Sequence, residues 1–159
     1  MTKIKAFIVT VSDTRTLEND RSGDRLAALL LESGAEVTGK LIVSDDLEGL
    51  RNTIYTLTER DDINLIVTTG GTGFGPRDNT PEATQAVIER EAPGLAEAMR
   101  RESSAKTPLA MLSRGICGIR GDKLIVNLPG SPKAVEECLD VIRPVLSHAV
   151  DLLSGHTRH

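Results

Sequence analysis

Residues 64–76 read NLIVTTGGTGFGP and combine a short apolar run with a loop that holds four glycines in six residues. The apolar run, residues 64–69, is rich in β-branched residues and predicts a buried strand. The loop, residues 70–75, then lies at the carboxyl end of that strand, which is the edge of an open α/β sheet where ligands bind. Glycines there allow positive φ angles and close approach of a ligand to the backbone. We therefore predict an anion-binding site at this segment, the glycine loop.

Two familiar phosphate-binding patterns do not match the glycine loop. No lysine follows the glycines as in G-x-x-x-x-G-K-[ST], and Gly71, Gly73 and Gly75 give G-x-G-x-G rather than G-x-G-x-x-G. A merely flexible surface loop is the alternative interpretation. Glycine concentrated at the end of a strand favours the binding interpretation, because binding residues are often carried by loops on a rigid scaffold.

The rest of the chain alternates strands with helices. Further strands are predicted over residues 3–11, 36–43, 115–120 and 123–128, and helices are predicted to begin near residues 24, 45, 80, 95 and 131. Gly121-Asp122 joins two strands as a hairpin, while residues 155–159 are predicted to fray. The pattern predicts one α/β domain over residues 1–159, with a mainly parallel sheet covered on both faces plus one antiparallel strand.

Composition excludes several classes of protein. Aromatic residues make up 2% of the 159 residues, the net charge is −4 and the sequence pI is about 5.4. We therefore expect no nucleic acid as a partner, because duplex-binding and base-stacking surfaces need basic patches and aromatic platforms. No apolar run approaches a membrane span and no leader segment is recognised, so we expect a cytoplasmic protein without a membrane partner. Cys117 and Cys138 are expected to be reduced core residues.

Acidic residues follow three of the predicted strands. Ser12 and Asp13 follow the first strand, Asp45 and Asp46 follow the second, and Asp78 follows the third at a distance. Each acid alone is more often a helix cap than a catalyst, and Asp45 is itself predicted to cap the second helix. Their shared sheet edge favours a functional role. A carboxylate beside a phosphate site repels its ligand unless a cation intervenes, so Mg²⁺ is predicted here.

A second anion site is predicted where the strand before residue 128 turns into the last helix. The segment reads NLPGSPK over residues 127–133, with Ser131 as the helix cap. An ordinary strand-to-helix turn is the alternative. Thr80 is similarly predicted to cap the third helix, with Pro81 at its first position. Arg114 could supply another cation to the site, or it could be a plain surface residue.

Several motifs in order resemble one known family. TTGGTG, RDNTPEAT and LPGSPKA, together with VTVSD, SDD, PG and MLSRG, are similar to segments of the MoaB/Mog family of molybdenum-cofactor biosynthesis, in its compact MoaB-like form. The resemblance runs from about Lys3 to Leu153. It implies a three-layer α/β sandwich that assembles as a trimer or a hexamer.

The resemblance also implies a reaction. Enzymes of this kind transfer AMP from Mg-ATP to molybdopterin, giving adenylyl-molybdopterin and pyrophosphate. A protein that holds molybdopterin or a precursor without catalysis is the alternative, because the chain has the compact form. A hydrolase of nucleotide pyrophosphates is a third interpretation of the same Mg²⁺-binding edge.

The resemblance assigns roles to individual residues. Asp45 and Asp78 match the two catalytic acids, with Asp78 holding or orienting the Mg-nucleotide and Asp45 assisting at the pterin phosphate. Ser44-Asp45 replaces the Pro-Asp of many members, which leaves open whether Asp45 or Asp46 is the functional acid. The residues that match substrate-binding positions are Ser12, Asp13, Gly70, Gly71, Thr72, Gly73, Pro129, Gly130, Ser131 and Pro132.

Overall fold

A single six-stranded sheet forms the centre of the structure, a computed structural model that describes residues 1–156. The strands are β1 (Lys5–Val11), β2 (Glu36–Val43), β3 (Leu65–Thr69), β4 (Arg90–Glu91), β5 (Cys117–Arg120) and β6 (Lys123–Leu128). Their order is β2-β1-β3-β6-β5-β4. Residues 157–159, the end of the predicted domain and of the tail predicted to fray, lie outside the described part of the chain.

The direction of the strands confirms the predicted sheet. β2, β1, β3 and β6 are parallel neighbours, whereas β5 is antiparallel to both β6 and β4. Within residues 1–156, β5 is thus the one strand that runs against the others. The turn between β5 and β6 is the predicted hairpin, with Gly121 at a φ of 57°. The short β4 was not predicted from the sequence.

Helices cover both faces of the sheet, as the resemblance implied. They are α1 (Arg21–Glu32), α2 (Leu47–Thr58), α3 (Thr80–Gln85), α4 (Pro93–Ser104) and α5 (Pro132–Leu153), with a 3₁₀ helix over Pro108–Leu112. α1, α4 and α5 pack on one face of the sheet, and α2 and α3 pack on the other. None of the helices in residues 1–156 combines the length and the apolar character needed to cross a membrane.

Alternation along the strands divides the core into two clusters. Ile8 faces the cluster that contains Leu26 and Leu139, whereas its neighbour Val9 faces the cluster that contains Leu50. All five side chains are fully buried or nearly so. A strand with both faces covered favours apolar residues on both sides, which explains the apolar run over residues 6–9 of β1. Cys117 and Cys138 are buried and unpaired, as predicted.

Two predicted helix caps are wrong by one residue. α2 is capped by Asp46, whose Oδ2 accepts a hydrogen bond from the Gly49 N–H at 2.8 Å, and not by Asp45. α3 has Asn79 at its N-cap position, and Thr80 is already helical. α1, in contrast to the prediction, begins before residue 24, because buried Asp20 accepts a hydrogen bond from the Gly23 N–H at 3.1 Å.

Asn127 joins three parts of the fold from the end of β6. Its amide donates to the hydroxyls of Thr68 and Thr84, each at 3.0 Å, and its Oδ1 accepts from the Ile116 N–H at 3.1 Å. The side chain is buried. β3, α3 and the segment before β5 are therefore fixed to β6 by one side chain, just beneath the edge that carries the glycine loop.

Replacing Asn127 with alanine should lower the free energy of unfolding by roughly 2–4 kcal/mol, since three hydrogen bonds are lost and their buried partners are left unpaired. Urea denaturation followed by circular dichroism measures the change. Asn52, an exposed residue of α2, provides the control: Asn52→Ala should change stability by no more than about 0.5 kcal/mol. Equal stability of Asn127→Ala and wild type would contradict the role of Asn127.

Candidate functional site

The glycine loop begins with two residues in the left-handed region. Gly70 has a φ of 100° and Gly71 has a φ of 68°. A Cβ on Gly70 would lie 2.5 Å from the carbonyl oxygen of Val11, and a Cβ on Gly71 would lie 2.3 Å from the Thr80 hydroxyl. Both positions therefore require glycine, for conformation and for space.

The glycine loop folds back onto the start of α3. The Thr80 hydroxyl donates to the Gly70 carbonyl at 2.9 Å, and the Thr80 N–H donates to the Gly71 carbonyl at 3.1 Å. At the far end, the Gly75 N–H donates to Asp78 Oδ2 at 2.8 Å, and the Asp78 N–H donates to the Gly75 carbonyl at 3.0 Å. Asp78 is thus held against the glycine loop.

Arg114 fixes the other side of the glycine loop. Its guanidinium donates to the Gly73 carbonyl at 2.8 Å and to the Asp78 carbonyl at 2.7 Å, and it pairs with Glu82. Its backbone N–H donates to the Thr72 carbonyl at 2.8 Å. The sequence left open whether Arg114 is a cation of the site or a plain surface residue. The structure shows a further role, because its side chain holds the backbone of the glycine loop by hydrogen bonds.

The N–H groups of Gly71, Thr72 and Gly73 have no acceptor within residues 1–156. They lie beside the second predicted turn, where a Cβ on Gly130 would come within 3.3 Å of the Gly70 Cα atom. Unpaired N–H groups in such a loop can receive an anion. The two predicted anion sites are therefore adjacent.

Asp13 has a cationic partner in Arg77. Arg77 donates to it twice, from Nε to Oδ2 at 2.7 Å and from Nη2 to Oδ1 at 3.1 Å. The Asp45 N–H donates to Asp13 Oδ1 at 3.0 Å. These hydrogen bonds, that of Arg77 first, lower the pKa of Asp13 to about 2. Asp13 is therefore a fixed negative charge across the pH range of interest.

Asp45 has the opposite electrostatic environment. Burial raises its pKa above the ordinary value, and the negative charges of Asp13 and Asp78 raise it further. Its backbone carbonyl accepts from the Asn79 side chain at 2.8 Å, which orients the residue towards the loops. Asp46 instead is the N-cap residue of α2. Of the two adjacent acids, Asp45 is the one at the site.

Two clefts meet at this edge of the sheet. The polar cleft, about 410 Å³, contains Ser12, Asp13 and Asp45. The apolar cleft, about 380 Å³, lies between the glycine loop, α4, the 3₁₀ helix and α5. Both clefts are lined by Gly71, Asp78 and Gly130. A ligand in one cleft would therefore approach a ligand in the other at these three shared residues.

Most of the predicted site residues line one cleft or the other. The polar cleft also contains Gly70, and the apolar cleft contains Thr72, Gly73 and Pro129. Ser131 and Pro132 line neither: the Ser131 hydroxyl accepts from the Ala134 N–H at 3.2 Å as the cap of α5, and Pro132 is the first residue of that helix.

Several further residues that line the clefts were not predicted from the sequence. Arg15 lines the polar cleft and donates to the Gly130 carbonyl at 3.1 Å. Met99, Leu109 and Leu112 line the apolar cleft. They come from three segments that are distant in sequence, and of the four only Leu112 lies in a quoted motif, MLSRG. Arg15, only two residues after Asp13, could have been considered as a cation near the site.

The acids of the polar cleft fit a phosphate-bound Mg²⁺. Asp78 uses Oδ2 for the Gly75 N–H and leaves Oδ1 for a ligand. Burial, and then the negative charges of Asp13 and Asp78, raise the pKa of Asp45, and a cation nearby would offset both effects. Mg²⁺ is commonly held by one or two carboxylates together with phosphates and water. Within residues 1–156, no group of three or more His, Cys, Asp or Glu side chains is placed to hold an ion by itself.

Comparison with known proteins identifies one family. Residues 7–148 match the family model described as "Probable molybdopterin binding domain". Molybdopterin adenylyltransferase of Helicobacter pylori is 43% identical over 72% of this chain and 65% of its own length. Molybdenum cofactor synthesis protein cinnamon of Drosophila melanogaster is 45% identical over 96% of this chain. The crystal structure of the molybdopterin biosynthesis enzyme MoaB from Thermus thermophilus matches with a TM-score of 0.87 and 42% identity, covering 96% of this chain and 97% of that one.

The chain spans only part of some of these relatives. The matched region is 26% of the Drosophila protein and 65% of the Helicobacter protein. The Thermus structure, in contrast, is matched over almost its whole length. These findings confirm the resemblance to the MoaB/Mog family that the motifs indicated.

Replacing Asp45 with asparagine should stabilise the protein at neutral pH. The folded state raises the pKa of Asp45, so the stability that this group contributes is present below its unfolded pKa and is lost as the pH rises through the folded pKa. The ionised carboxylate therefore destabilises the fold at pH 7. Thermal unfolding should show a higher midpoint for Asp45→Asn than for wild type at pH 7, and no difference at pH 3.

The adjacent acid provides a matched control for this prediction. Asp46→Asn should unfold close to wild type at both pH values, because asparagine caps a helix as well as aspartate does. A higher midpoint for Asp45→Asn that persists unchanged at pH 3 would show that the effect is not electrostatic.

Proposed function

This chain belongs to the molybdopterin-binding domain family, and we propose that it transfers AMP from ATP to molybdopterin as a step of molybdenum-cofactor biosynthesis. The observation that carries the proposal is the meeting of two clefts at Gly71, Asp78 and Gly130. A reaction that joins two bulky anions needs two binding spaces with one common boundary. The names of the relatives support this reaction, since one of them is a molybdopterin adenylyltransferase.

The chemistry requires positioning more than proton transfer. A phosphate oxygen of molybdopterin forms a bond to the α-phosphorus of ATP, the bond from that phosphorus to the β-phosphate oxygen breaks, and pyrophosphate leaves with the electron pair. The attacking phosphate is already ionised at neutral pH, so no general base is needed. The main barrier is the repulsion between anions, which oriented N–H groups and cations reduce.

Each part of the site has a role in this scheme. The N–H groups of Gly71, Thr72 and Gly73 bind phosphate oxygens at the boundary of the clefts. Mg²⁺, held by Asp78 and the nucleotide phosphates, would neutralise the charge that develops on the leaving group. Asp45 assists at the pterin phosphate, from the polar side of the boundary. Arg114 keeps the loop and Asp78 in place.

We also propose that the protein acts in the cytoplasm as a homotrimer, with a hexamer as the alternative. The proposed oligomeric state rests on the resemblance to the MoaB/Mog family. Sedimentation equilibrium of the purified protein measures the number of protomers directly.

Asp78→Asn should reduce turnover by roughly 10²-fold or more, which is the scale of losing one electrostatic contact in an active site. The fold should persist, because the asparagine oxygen can still accept from the Gly75 N–H. Adenylyl-molybdopterin formed from molybdopterin and Mg-ATP is the measured product. Near-normal turnover would remove Asp78 from the mechanism.

Asp61→Asn is the matched control, since Asp61 is an exposed acid in the turn that precedes β3, at the opposite edge of the sheet. It should retain full activity. Calorimetry with Mg-ATP separates the alternative function: an enzyme binds the nucleotide and Asp78→Asn weakens that binding, whereas a protein that only holds molybdopterin binds no nucleotide.

A further inference from the structure

Arg15 is a half-buried cation in the wall of the polar cleft. Its Nη1 donates to the Ser22 hydroxyl at 2.9 Å, and its Nη2 donates to the Gly130 carbonyl at 3.1 Å. Both partners are neutral, and within residues 1–156 Arg15 forms no ion pair. Arg77, at the same edge of the sheet, is instead neutralised by Asp13. The charge of Arg15 is thus left without a counter-ion in this part of the chain, and an anionic ligand would supply one.

The fold holds the Arg15 guanidinium in place before any ligand arrives. The Ser12 hydroxyl oxygen accepts from the backbone N–H groups of Thr14 at 3.2 Å and Arg15 at 3.1 Å, which fixes the turn after β1. Ser22 lies in the first turn of α1, whose cap, Asp20, is fully buried. Because the backbone and the guanidinium of Arg15 are both anchored, binding a ligand costs little further ordering of this side chain.

Charges of both signs line the polar cleft. Asp45 and Asp78 are two of its acids, and Arg15 is the one lysine or arginine in its lining within residues 1–156. A guanidinium carries five N–H donors, so further donors remain beside those that Ser22 and Gly130 use. Their planar arrangement matches the oxygens of a phosphate group, with which arginine often forms paired hydrogen bonds.

A metal-bound diphosphate suits this distribution of charge. Mg²⁺ can be shared between carboxylates and phosphate oxygens, but a diphosphate stays negative after it has bound one such ion. The remaining charge needs a second cation, and Arg15 is placed to provide it. The polar cleft, at about 410 Å³, has room for more than one phosphate group. One group can therefore meet the acids through the metal while another meets Arg15.

We propose that Arg15 binds the β- and γ-phosphates of the nucleotide in the polar cleft and stabilises the pyrophosphate as it leaves. When the bond from the α-phosphorus to the bridging oxygen breaks, its electron pair stays on the pyrophosphate, where the N–H groups of Arg15 stabilise the added charge. Arg15 transfers no proton, because a guanidinium keeps its proton in proteins. The inference rests on the proposed function for the identity of the nucleotide.

The test is the binding of Mg-pyrophosphate to the whole protein, measured by calorimetry without molybdopterin or ATP. Arg15→Gln removes the charge and should raise the Kd about 10- to 100-fold, the range for a charge-assisted hydrogen bond. Arg15→Lys keeps the charge but loses the planar set of donors, so its Kd should lie between those of wild type and Arg15→Gln.

Arg21→Gln is the matched control. Arg21 is exposed at the start of α1 and lines neither cleft. The variant removes the same charge from the same edge of the sheet, and its Kd should stay within about twofold of wild type. Circular dichroism should show the wild-type fold for all three variants, because neither arginine belongs to the two core clusters.

Four results would overturn the proposal. They are no binding of Mg-pyrophosphate by wild type, an unchanged Kd in Arg15→Gln, an equal rise in Arg21→Gln, and a Kd for Arg15→Lys as high as that for Arg15→Gln. The last result would mean that Arg15 braces the two loops and that its charge binds nothing. Failure of the proposed function has a different signature. Wild type would then bind Mg-pyrophosphate with the expected dependence on Arg15 but form no adenylyl-molybdopterin.

Discussion

The close approach of backbone to backbone at Gly70 is the constraint on which the site depends. The Gly70 N–H donates to the Leu128 carbonyl at 3.1 Å, and a Cβ at this position would lie 2.5 Å from the Val11 carbonyl oxygen. β3 therefore ends in direct contact with the ends of its two neighbours, β1 and β6. Because no side chain separates them, the loops that follow these strands converge, and the two clefts share Gly71, Asp78 and Gly130 in their lining.

The acidic side chains at this edge of the sheet have unequal electrostatic environments. Asp13 has Arg77 as its partner, and its pKa falls to about 2. Within residues 1–156, no cation donates a hydrogen bond to the Asp45 carboxylate, and its pKa rises through burial and through repulsion by Asp13 and Asp78. Such a site resists a bare anion and favours an anion that arrives with a cation. A metal-bound nucleotide meets that requirement, because the metal neutralises the carboxylates and the phosphates together.

Local signals made most of the fold predictable. The strands and the glycine loop were predicted because β-branched runs and glycine clusters act within a few residues. The caps were harder: Asp45 and Asp46 both have N-cap chemistry, and only contacts from Asp13 and Asn79, distant in sequence, hold Asp45 at the site. β4 forms because it pairs with β5, which is distant in sequence. The apolar cleft likewise forms because α4 and α5 pack next to each other. The site roles themselves remain predictions, because they concern ligands.

The same fold could serve as a catalyst or as a holder of molybdopterin, because the two core clusters stabilise the sheet without the loops. The loop residues therefore carry the distinction. A holder of a phosphorylated pterin would gain affinity by losing the acids beside its phosphate site, since each carboxylate repels the ligand and Asp45 also opposes folding when ionised. A cation that arrives with the ligand would reverse this effect, because carboxylates and phosphates can share it. The burial of Asp45 and its repulsion by Asp13 and Asp78 thus favour a site that receives an anion together with a cation, as the proposed reaction requires.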